Sequence, residues 1–187
     1  MKKRKAEILP IRIYGDKTLR EVAEPVDEIT EDIQEFIEDL TYTMYEKDGV
    51  GLAAPQVGRS LRIFVIDPFW FKEGGKKNPI VLINPEFIEF KGEVDSEEGC
   101  LSLPEIYDKV KRADKVVIKG LNEKGKEVKY DAEGLFSRSL QHEFDHLEGV
   151  LFIDKIPKLK KIVHMKKLSD LKKTTDENGI NVGTISL

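Results

Sequence analysis

The stretch GVGLAAPQVG, residues 49–58, decides between two folds, because its first six residues fit the G-x-G-x-x-A form of the dinucleotide-binding fingerprint. That fingerprint lies between a strand and a helix, since the pyrophosphate sits at the N-terminus of the helix. Here an acidic segment with helical spacing precedes the glycines, and Pro55 lies where the following helix would need a backbone N–H. The context excludes a nucleotide-binding loop, and we expect no nucleotide cofactor.

The segments around this stretch predict an α+β fold. Upstream, Thr30 is a suitable N-cap for a helix that ends near Asp48. Downstream, residues 134–147 return to helical spacing, and a last helix is expected from Pro157 to Lys173. Between the first two helices, short apolar or alternating runs predict strands at 61–67, 80–84, 86–94, 115–121 and 126–132. The turn NEKG joins the last two strands as a hairpin. This order has no βαβ alternation, so we expect antiparallel strands.

Length and composition indicate an ordinary globular protein. The 187 residues suffice for one well-buried core, with 40% hydrophobic and 35% charged residues and a net charge of −4. We find no apolar run long enough for a transmembrane helix and no signal-peptide core, so no membrane association is expected. The single cysteine, Cys100, excludes an internal disulfide. We therefore expect a cytoplasmic location.

Residues 141–149, QHEFDHLEG, carry the clearest chemical signal. His142 and His146 are four residues apart, so they lie on one helix face and can both reach one metal ion. Glu143 lies beside the first histidine and can handle the proton of a water activated there. The alternative is a pair of partly exposed histidines on a polar helix. The spacing favours the metal site and gives weaker support for hydrolysis.

A catalytic metal site needs a third protein ligand and an open position. The metzincin pattern would place a histidine where this chain has Phe152. A zinc peptidase would need a downstream carboxylate as its third ligand. The four available carboxylates lack a suitable helical context: Asp154, Asp170, Asp176 and Glu177. Cys100 remains, although a lone cysteine is more often a small core residue. Gly99 before it and Pro104 after it predict a shaped loop rather than a core strand. Two imidazoles and a thiolate suit zinc or ferrous iron.

The stretches GVGLAAPQVG, EEGCLSLP and QHEFDHLEG, in this order and spacing, closely resemble the three signature motifs of the peptide deformylases, and the resemblance covers about residues 5–170. It implies a hydrolase that removes the N-formyl group from the formylmethionine of newly synthesised proteins and releases formate. The implied fold packs mostly antiparallel short strands around a central metal-binding HExxH helix, with an N-terminal and a C-terminal helix. Residues 1–173 would form a single catalytic domain, and residues 174–187 a polar, flexible tail.

The resemblance also implies a metal centre. Cys100, His142 and His146 match the metal ligands of the family, with water in the fourth position. One divalent ion per chain is expected, with Fe²⁺ as the ion in the cell and Ni²⁺, Co²⁺ or Zn²⁺ as substitutes.

Further residues correspond to the catalytic and substrate-binding groups of the family. Glu143 matches the catalytic carboxylate, while the Gln56 side-chain amide and the Leu101 backbone N–H match the groups that face the substrate carbonyl. The alternative for Gln56 is an amide that caps a local turn. Three positions are expected to contact the substrate peptide or its methionine side chain: Gly51, Val50 and Leu135. Two more fall near the same pocket without an assigned role: Arg138 and Tyr107.

Charge is distributed unevenly along the chain. Residues 21–48 hold eleven acids and one lysine, whereas residues 155–173 hold eight lysines and one acid. Such segments are usually solvated helix faces. Because the implied substrates are nascent chains, the lysine-rich helix is also a candidate for docking on ribosomal RNA.

Two other hypotheses remain at this point. One is a zinc peptidase or amidase acting on ordinary peptide bonds, whose third ligand would be a carboxylate. The other is a non-catalytic, ribosome-associated binding protein with a structural metal, which predicts a closed fourth position and no need for Glu143 or Gln56.

Overall fold

Two antiparallel sheets and three α-helices make up residues 4–183, the part of the chain that the structure, a computed structural model, describes. The helices are α1 (Glu31–Glu46), α2 (Gly134–Leu147) and α3 (Lys158–Lys172). The strands are β1 (Gly51–Ala53), β2 (Ile63–Ile66), β3 (Ile80–Lys91), β4 (Val94–Cys100), β5 (Leu103–Arg112), β6 (Lys115–Leu121) and β7 (Glu127–Glu133). Short 3-10 helices occupy Lys17–Arg20, Ala54–Val57 and Phe152–Asp154. Within residues 4–183, none of the helices has the length and apolar character needed to cross a membrane.

Helix α1 begins and ends close to its predicted limits. The Ile33 N–H donates to Thr30 Oγ1 at 3.3 Å, which is the N-cap hydrogen bond expected from the sequence. The helix buries Leu40 completely against the main sheet. It ends at Glu46, and Asp48 adopts a left-handed backbone conformation with φ of 54°. This turn directs the chain back into β1.

The larger sheet has the strand order β1-β2-β3-β6-β7 and lies between α1 and α2. Strand β2 is buried on both faces, and its side chains alternate between the two helices. Ile63 and Val65 pack in the cluster with α1, whereas Phe64 and Ile66 pack in the cluster with α2. Each such side chain contributes about 1.5–3 kcal/mol on burial, so β2 holds both helices on the sheet. Strands β6 and β7 pair as the predicted hairpin.

Strand β3 differs from its prediction. The sequence indicates separate strands at 80–84 and 86–94, but β3 is continuous through Asn84 and Pro85. Asn84 has φ of 50°, and the pairing with β6 shifts register there. A bulge of this kind accommodates Pro85, which has no N–H to donate to the ladder. The Asn84 side chain then bonds the backbone N–H and carbonyl of Val26, both at 2.9 Å.

The expectation of a loop around Cys100 is wrong in part, because Cys100 is the last residue of β4. Strand β4 pairs with β5, a charged strand that was not expected from the sequence, and the two form a separate sheet. The register shifts between Glu98 and Cys100, and the turn follows at once with Leu101 and Ser102. The bulge and the turn give this strand end the irregular shape that Gly99 suggested.

A second core joins the β4–β5 hairpin to the C-terminal part of the chain. Leu103 and Ile106 of β5 pack with Phe152, which follows α2, and with Leu168 of α3. Leu168 is the only buried residue of α3 within the described chain, so most of this lysine-rich helix faces solvent.

The expected flexible tail, residues 174–187, is packed over the part that the structure describes. Asn181 is fully buried, and its side-chain nitrogen donates to the Tyr14 carbonyl at 2.9 Å. Its backbone N–H donates to Asp16 at 2.8 Å. These contacts hold the chain around Asn181 against the N-terminal segment, which local composition could not reveal. Residues 184–187 lie outside the described part of the chain.

Candidate active site

Buried polar contacts fix the orientation of α2. Gly134 has φ of 60°, which lets the chain turn directly from β7 into the helix. The Ala113 N–H donates to Gln141 Oε1 at 3.0 Å, and Gln141 Nε2 donates to the Ala113 carbonyl at 2.8 Å. Ser137 Oγ donates to the same carbonyl at 3.0 Å. Because these bonds prevent rotation of the helix, the face that bears His142 is directed to the β4–β5 hairpin.

The structure brings together Cys100, His142 and His146, the three residues that the sequence analysis selected as metal ligands. One ligand atom from each lies within 4.8 Å of the other two. Cys100 Sγ is 3.4 Å from His146 Nε2. One sulfur and two imidazole nitrogens suit a divalent ion such as zinc or ferrous iron, and three protein ligands leave a position for water or substrate. The residues present therefore fit a catalytic metal ion.

Glu98 and Arg112 support this cluster, and neither was expected from the sequence. His142 Nδ1 donates to Glu98 Oε2 at 2.8 Å, which leaves Nε2 of that ring available for a metal. Arg112 donates to both oxygens of Glu98, at 2.8 and 3.0 Å. Glu98 could have been noticed, because it is two residues before Cys100 and side chains two apart share a strand face. Arg112 carries no comparable sequence signal.

Burial and close contacts shift the pKa values of Glu98, His142 and His146 in different directions. Burial opposes ionisation of Glu98, but hydrogen bonds from His142 and Arg112 outweigh it and lower the pKa of Glu98 to about 2. Burial lowers the pKa of His142, yet hydrogen bonds with Cys100 and Glu98 raise it overall. Burial lowers the pKa of His146, and the charges of His142 and Arg112 lower it further. His146 is therefore neutral, as a metal ligand must be, whereas His142 has to release a proton before its Nε2 can bind an ion.

Glu143 is a buried carboxylate beside the cluster. Its side chain is 5% exposed, and Oε2 has no hydrogen-bond partner among the described residues. Burial is the main reason that the pKa of Glu143 is raised to about 7. A Cβ atom at Gly51 would lie 2.5 Å from Glu143 Oε1, so only glycine leaves room for the carboxylate. This gives Gly51 a role in addition to the expected contact with substrate.

Gln56 is held with its amide nitrogen pointing to the turn after β4. The Ala53 N–H donates to Gln56 Oε1 at 3.0 Å, and Nε2 donates to Ser102 Oγ at 3.1 Å. The same nitrogen is 3.4 Å from Cys100 Sγ. The oxygen thus caps the local turn, as the alternative suggested, while the nitrogen faces the cluster. The Leu101 N–H donates no turn or loop hydrogen bond to a backbone carbonyl of residues 4–183.

A cavity of about 500 Å³ adjoins these groups. It is lined by every site residue expected from the sequence except His146: Val50, Gly51, Gln56, Cys100, Leu101, Leu135, His142 and Glu143. His146 does not line the cavity and is 1% exposed. Arg138 and Tyr107 also line the cavity. A space of this size suits a small peptide or a ligand of similar volume.

Comparison with known proteins agrees with this geometry. The sequence model of the polypeptide deformylase family matches residues 8–162. A peptide deformylase from Thermodesulfovibrio yellowstonii is 48% identical over 154 residues, which cover 82% of this chain and 92% of the relative. A peptide deformylase from Halothermothrix orenii is 52% identical over 152 residues, which cover 81% of this chain and 96% of the relative.

Solved structures give the same result. The crystal structure of a peptide deformylase from Legionella pneumophila superposes with a TM-score of 0.82 at 46% identity, covering 89% of this chain and 96% of that one. A plant peptide deformylase superposes with a TM-score of 0.85 at 34% identity, covering 94% of this chain and 95% of that one. The chain therefore belongs to the peptide deformylase family, the hydrolases that remove the formyl group from the N-terminal formylmethionine of proteins.

Proposed function

We propose that Cys100, His142 and His146 hold one divalent metal ion, and that the adjoining cavity binds the formylmethionyl end of a nascent peptide. The observation that carries this proposal is the convergence of three ligand atoms within 4.8 Å, beside a buried carboxylate that lacks a partner among the described residues. The thiolate and two imidazoles suit Fe²⁺, with Ni²⁺, Co²⁺ or Zn²⁺ as substitutes. When bound, the metal supplies Lewis-acid activation of water and of the formyl carbonyl.

Glu143 is the proposed general base and general acid. It takes one proton from the attacking water as the oxygen–carbon bond forms, and it delivers that proton to the nitrogen as the carbon–nitrogen bond breaks. The products are formate and a free amine. A pKa of about 7 suits both steps, because the group can accept and release a proton near neutral pH.

Gln56 and Leu101 are the proposed donors to the developing oxyanion. The Gln56 amide nitrogen faces the cluster and is kept there by Ala53 and Ser102. The Leu101 N–H lies in the turn directly after Cys100. Removal of one such donor typically costs about 3 kcal/mol in the activation barrier.

The remaining lining residues are proposed to bind the substrate peptide. Val50 and Leu135 line the cavity and offer apolar contacts to the methionine side chain. The backbone of Gly51 is proposed to pair with the extended peptide. Residues 1–173 form the proposed single catalytic domain, arranged around the HExxH helix α2. Because the substrates are nascent chains, we propose a cytoplasmic location.

The solvent-facing side of α3 is the proposed contact with the ribosome. Lys158 and Lys166 are exposed, and neither forms an ion pair with another described residue. Changing both to glutamate should weaken co-sedimentation with ribosomes, and raising the salt concentration should weaken that of the unchanged protein. Glutamate at Lys124 and Lys129, in the β6–β7 hairpin, is the matched control.

One experiment tests the catalytic proposal. Anaerobically prepared protein is incubated with formyl-Met-Ala, and formate is assayed with and without a chelator. Glu143→Ala should retain the metal and lose formate release, whereas Cys100→Ser should lose metal. Glu127→Ala, an exposed change on β7, is the control. Metal retention in Cys100→Ser would instead favour a carboxylate third ligand, and full activity of Glu143→Ala would refute its role.

A further inference from the structure

The metal ligands come from two elements that are far apart in the sequence. Cys100 ends β4 of the hairpin, whereas His142 and His146 lie on α2. Neither Cys100 nor the histidines can by themselves set the distance between hairpin and helix in the absence of an ion. Some contact between these elements must therefore hold the three ligand atoms within reach of one another.

Arg112 makes a polar contact of this kind, in addition to the apolar packing of Leu103 and Ile106 on Phe152. It lies at the end of β5, and its side chain is 3% exposed. On one side it donates from Nε and Nη2 to the two oxygens of Glu98 on β4. On the other side Nη1 donates to Asp145 Oδ2 of α2 at 2.5 Å. One rigid guanidinium thus joins the strand that bears Cys100 to the helix that bears the histidines.

Arg112, Glu98 and Asp145 form a clamp, and this clamp also contacts the first histidine, His142. Glu98 accepts from His142 Nδ1 as well as from Arg112, so the carboxylate is held at both of its oxygens. Asp145 precedes His146 and lies on the same turn of α2 as His142. A lysine in place of Arg112 could not make both arms at once, because its ammonium lacks the planar fork.

We infer that Arg112 is a positioning residue that assembles the metal site before the ion binds, by holding Glu98 and Asp145 in one clamp. The inference rests on the proposed metal function of Cys100, His142 and His146. Partners that orient the ligands of a metal typically change its affinity 10–100-fold when removed. The clamp acts through Glu98 and does not touch the ion or the substrate.

The test is a titration of metal-free protein with Co²⁺ alone. Binding is monitored by the absorbance of the cobalt complex, including the charge-transfer band of the thiolate–cobalt bond. Arg112→Met should raise the Co²⁺ dissociation constant about 10–100-fold and weaken that band. Arg112→Lys should not restore either quantity. Lys111→Met, a change at the neighbouring residue with an exposed side chain, should leave both unchanged.

Two further variants separate positioning from a general loss of stability. Asp145→Asn keeps the shape and the Glu98 arm of the clamp, so it should fold even where Arg112→Met does not, and it should still weaken Co²⁺ binding several-fold. The double variant Arg112→Met with Glu98→Gln should bind Co²⁺ no more weakly than Arg112→Met, because glutamine at position 98 keeps an oxygen that can accept from His142 Nδ1 and loses only the contact with Arg112 that is already absent.

The inference is overturned if Arg112→Met or Asp145→Asn lowers the melting temperature but keeps the Co²⁺ dissociation constant within threefold of the unchanged protein. Additive losses in the double variant also contradict it. If the unchanged protein shows no thiolate–cobalt band, the proposed metal site fails instead, so the two failures are distinguishable.

Discussion

Substitution of Gly51 by alanine tests the geometry of Glu143, the proposed catalytic carboxylate. The added Cβ would lie 2.5 Å from Glu143 Oε1, whereas ordinary van der Waals contact begins near 3.4 Å. The carboxylate must therefore move by about 1 Å, away from its present position at the edge of the cavity. A misplacement of this size at a reacting group can cost about 100-fold in rate. We expect kcat for formyl-Met-Ala to fall by about that factor while the metal content stays constant.

The assay is formate release under anaerobic conditions, with metal content measured on the same sample. Gly49→Ala is the matched control, because its Cβ would meet the flexible end of Leu101 at 3.1 Å, and a smaller loss is expected. If Gly51→Ala keeps kcat within threefold of the unchanged protein, the close packing of Gly51 on Glu143 does not position the carboxylate.

Three further changes probe other parts of the molecule. Gln56→Ala removes the proposed oxyanion donor, so kcat should fall 100–1000-fold with a small change in KM, measured by formate release; an unchanged kcat would exclude that role. Asp39→Asn should lower the free energy of unfolding by about 1–2 kcal/mol at pH 7, because Asp39 accepts hydrogen bonds from Arg4 and the Glu7 N–H. Burial opposes ionisation of Asp39, but those bonds lower its pKa, so its contribution is present above about pH 4 and is lost as the pH falls through the folded-state pKa. Urea unfolding at pH 7 and pH 3 should show the difference between the two proteins shrinking at the lower pH, and a constant difference would contradict the assignment. Thr30→Ala should cost about 1 kcal/mol by loss of the α1 N-cap, with Thr41→Ala inside the same helix as a comparison.

Local patterns predicted most helices and strands. The Thr30 cap and the apolar spacing behind it predict α1 because both signals act within a few residues. The alternation in β6 and β7 predicts their hairpin for the same reason. Strand β5 was missed because its exposed side chains are largely charged and its partner β4 is interrupted by a bulge. The packed part of the C-terminal segment was missed because its anchor, Asn181, bonds residues near the opposite end of the chain.

The amino-acid sequence by itself determined which chemistry is available: a His-x-x-x-His pair on one helix face, a carboxylate between them, and one cysteine for a third ligand. These features follow from helix periodicity and side-chain type, which need no knowledge of distant contacts. Only the tertiary structure decided that Cys100 meets the histidines, that Glu98, Arg112 and Asp145 hold them together, and that Gly51 makes room for Glu143. Each of these contacts joins segments far apart in the chain, so its geometry depends on how the sheets and helices pack and leaves no periodic signal in the sequence.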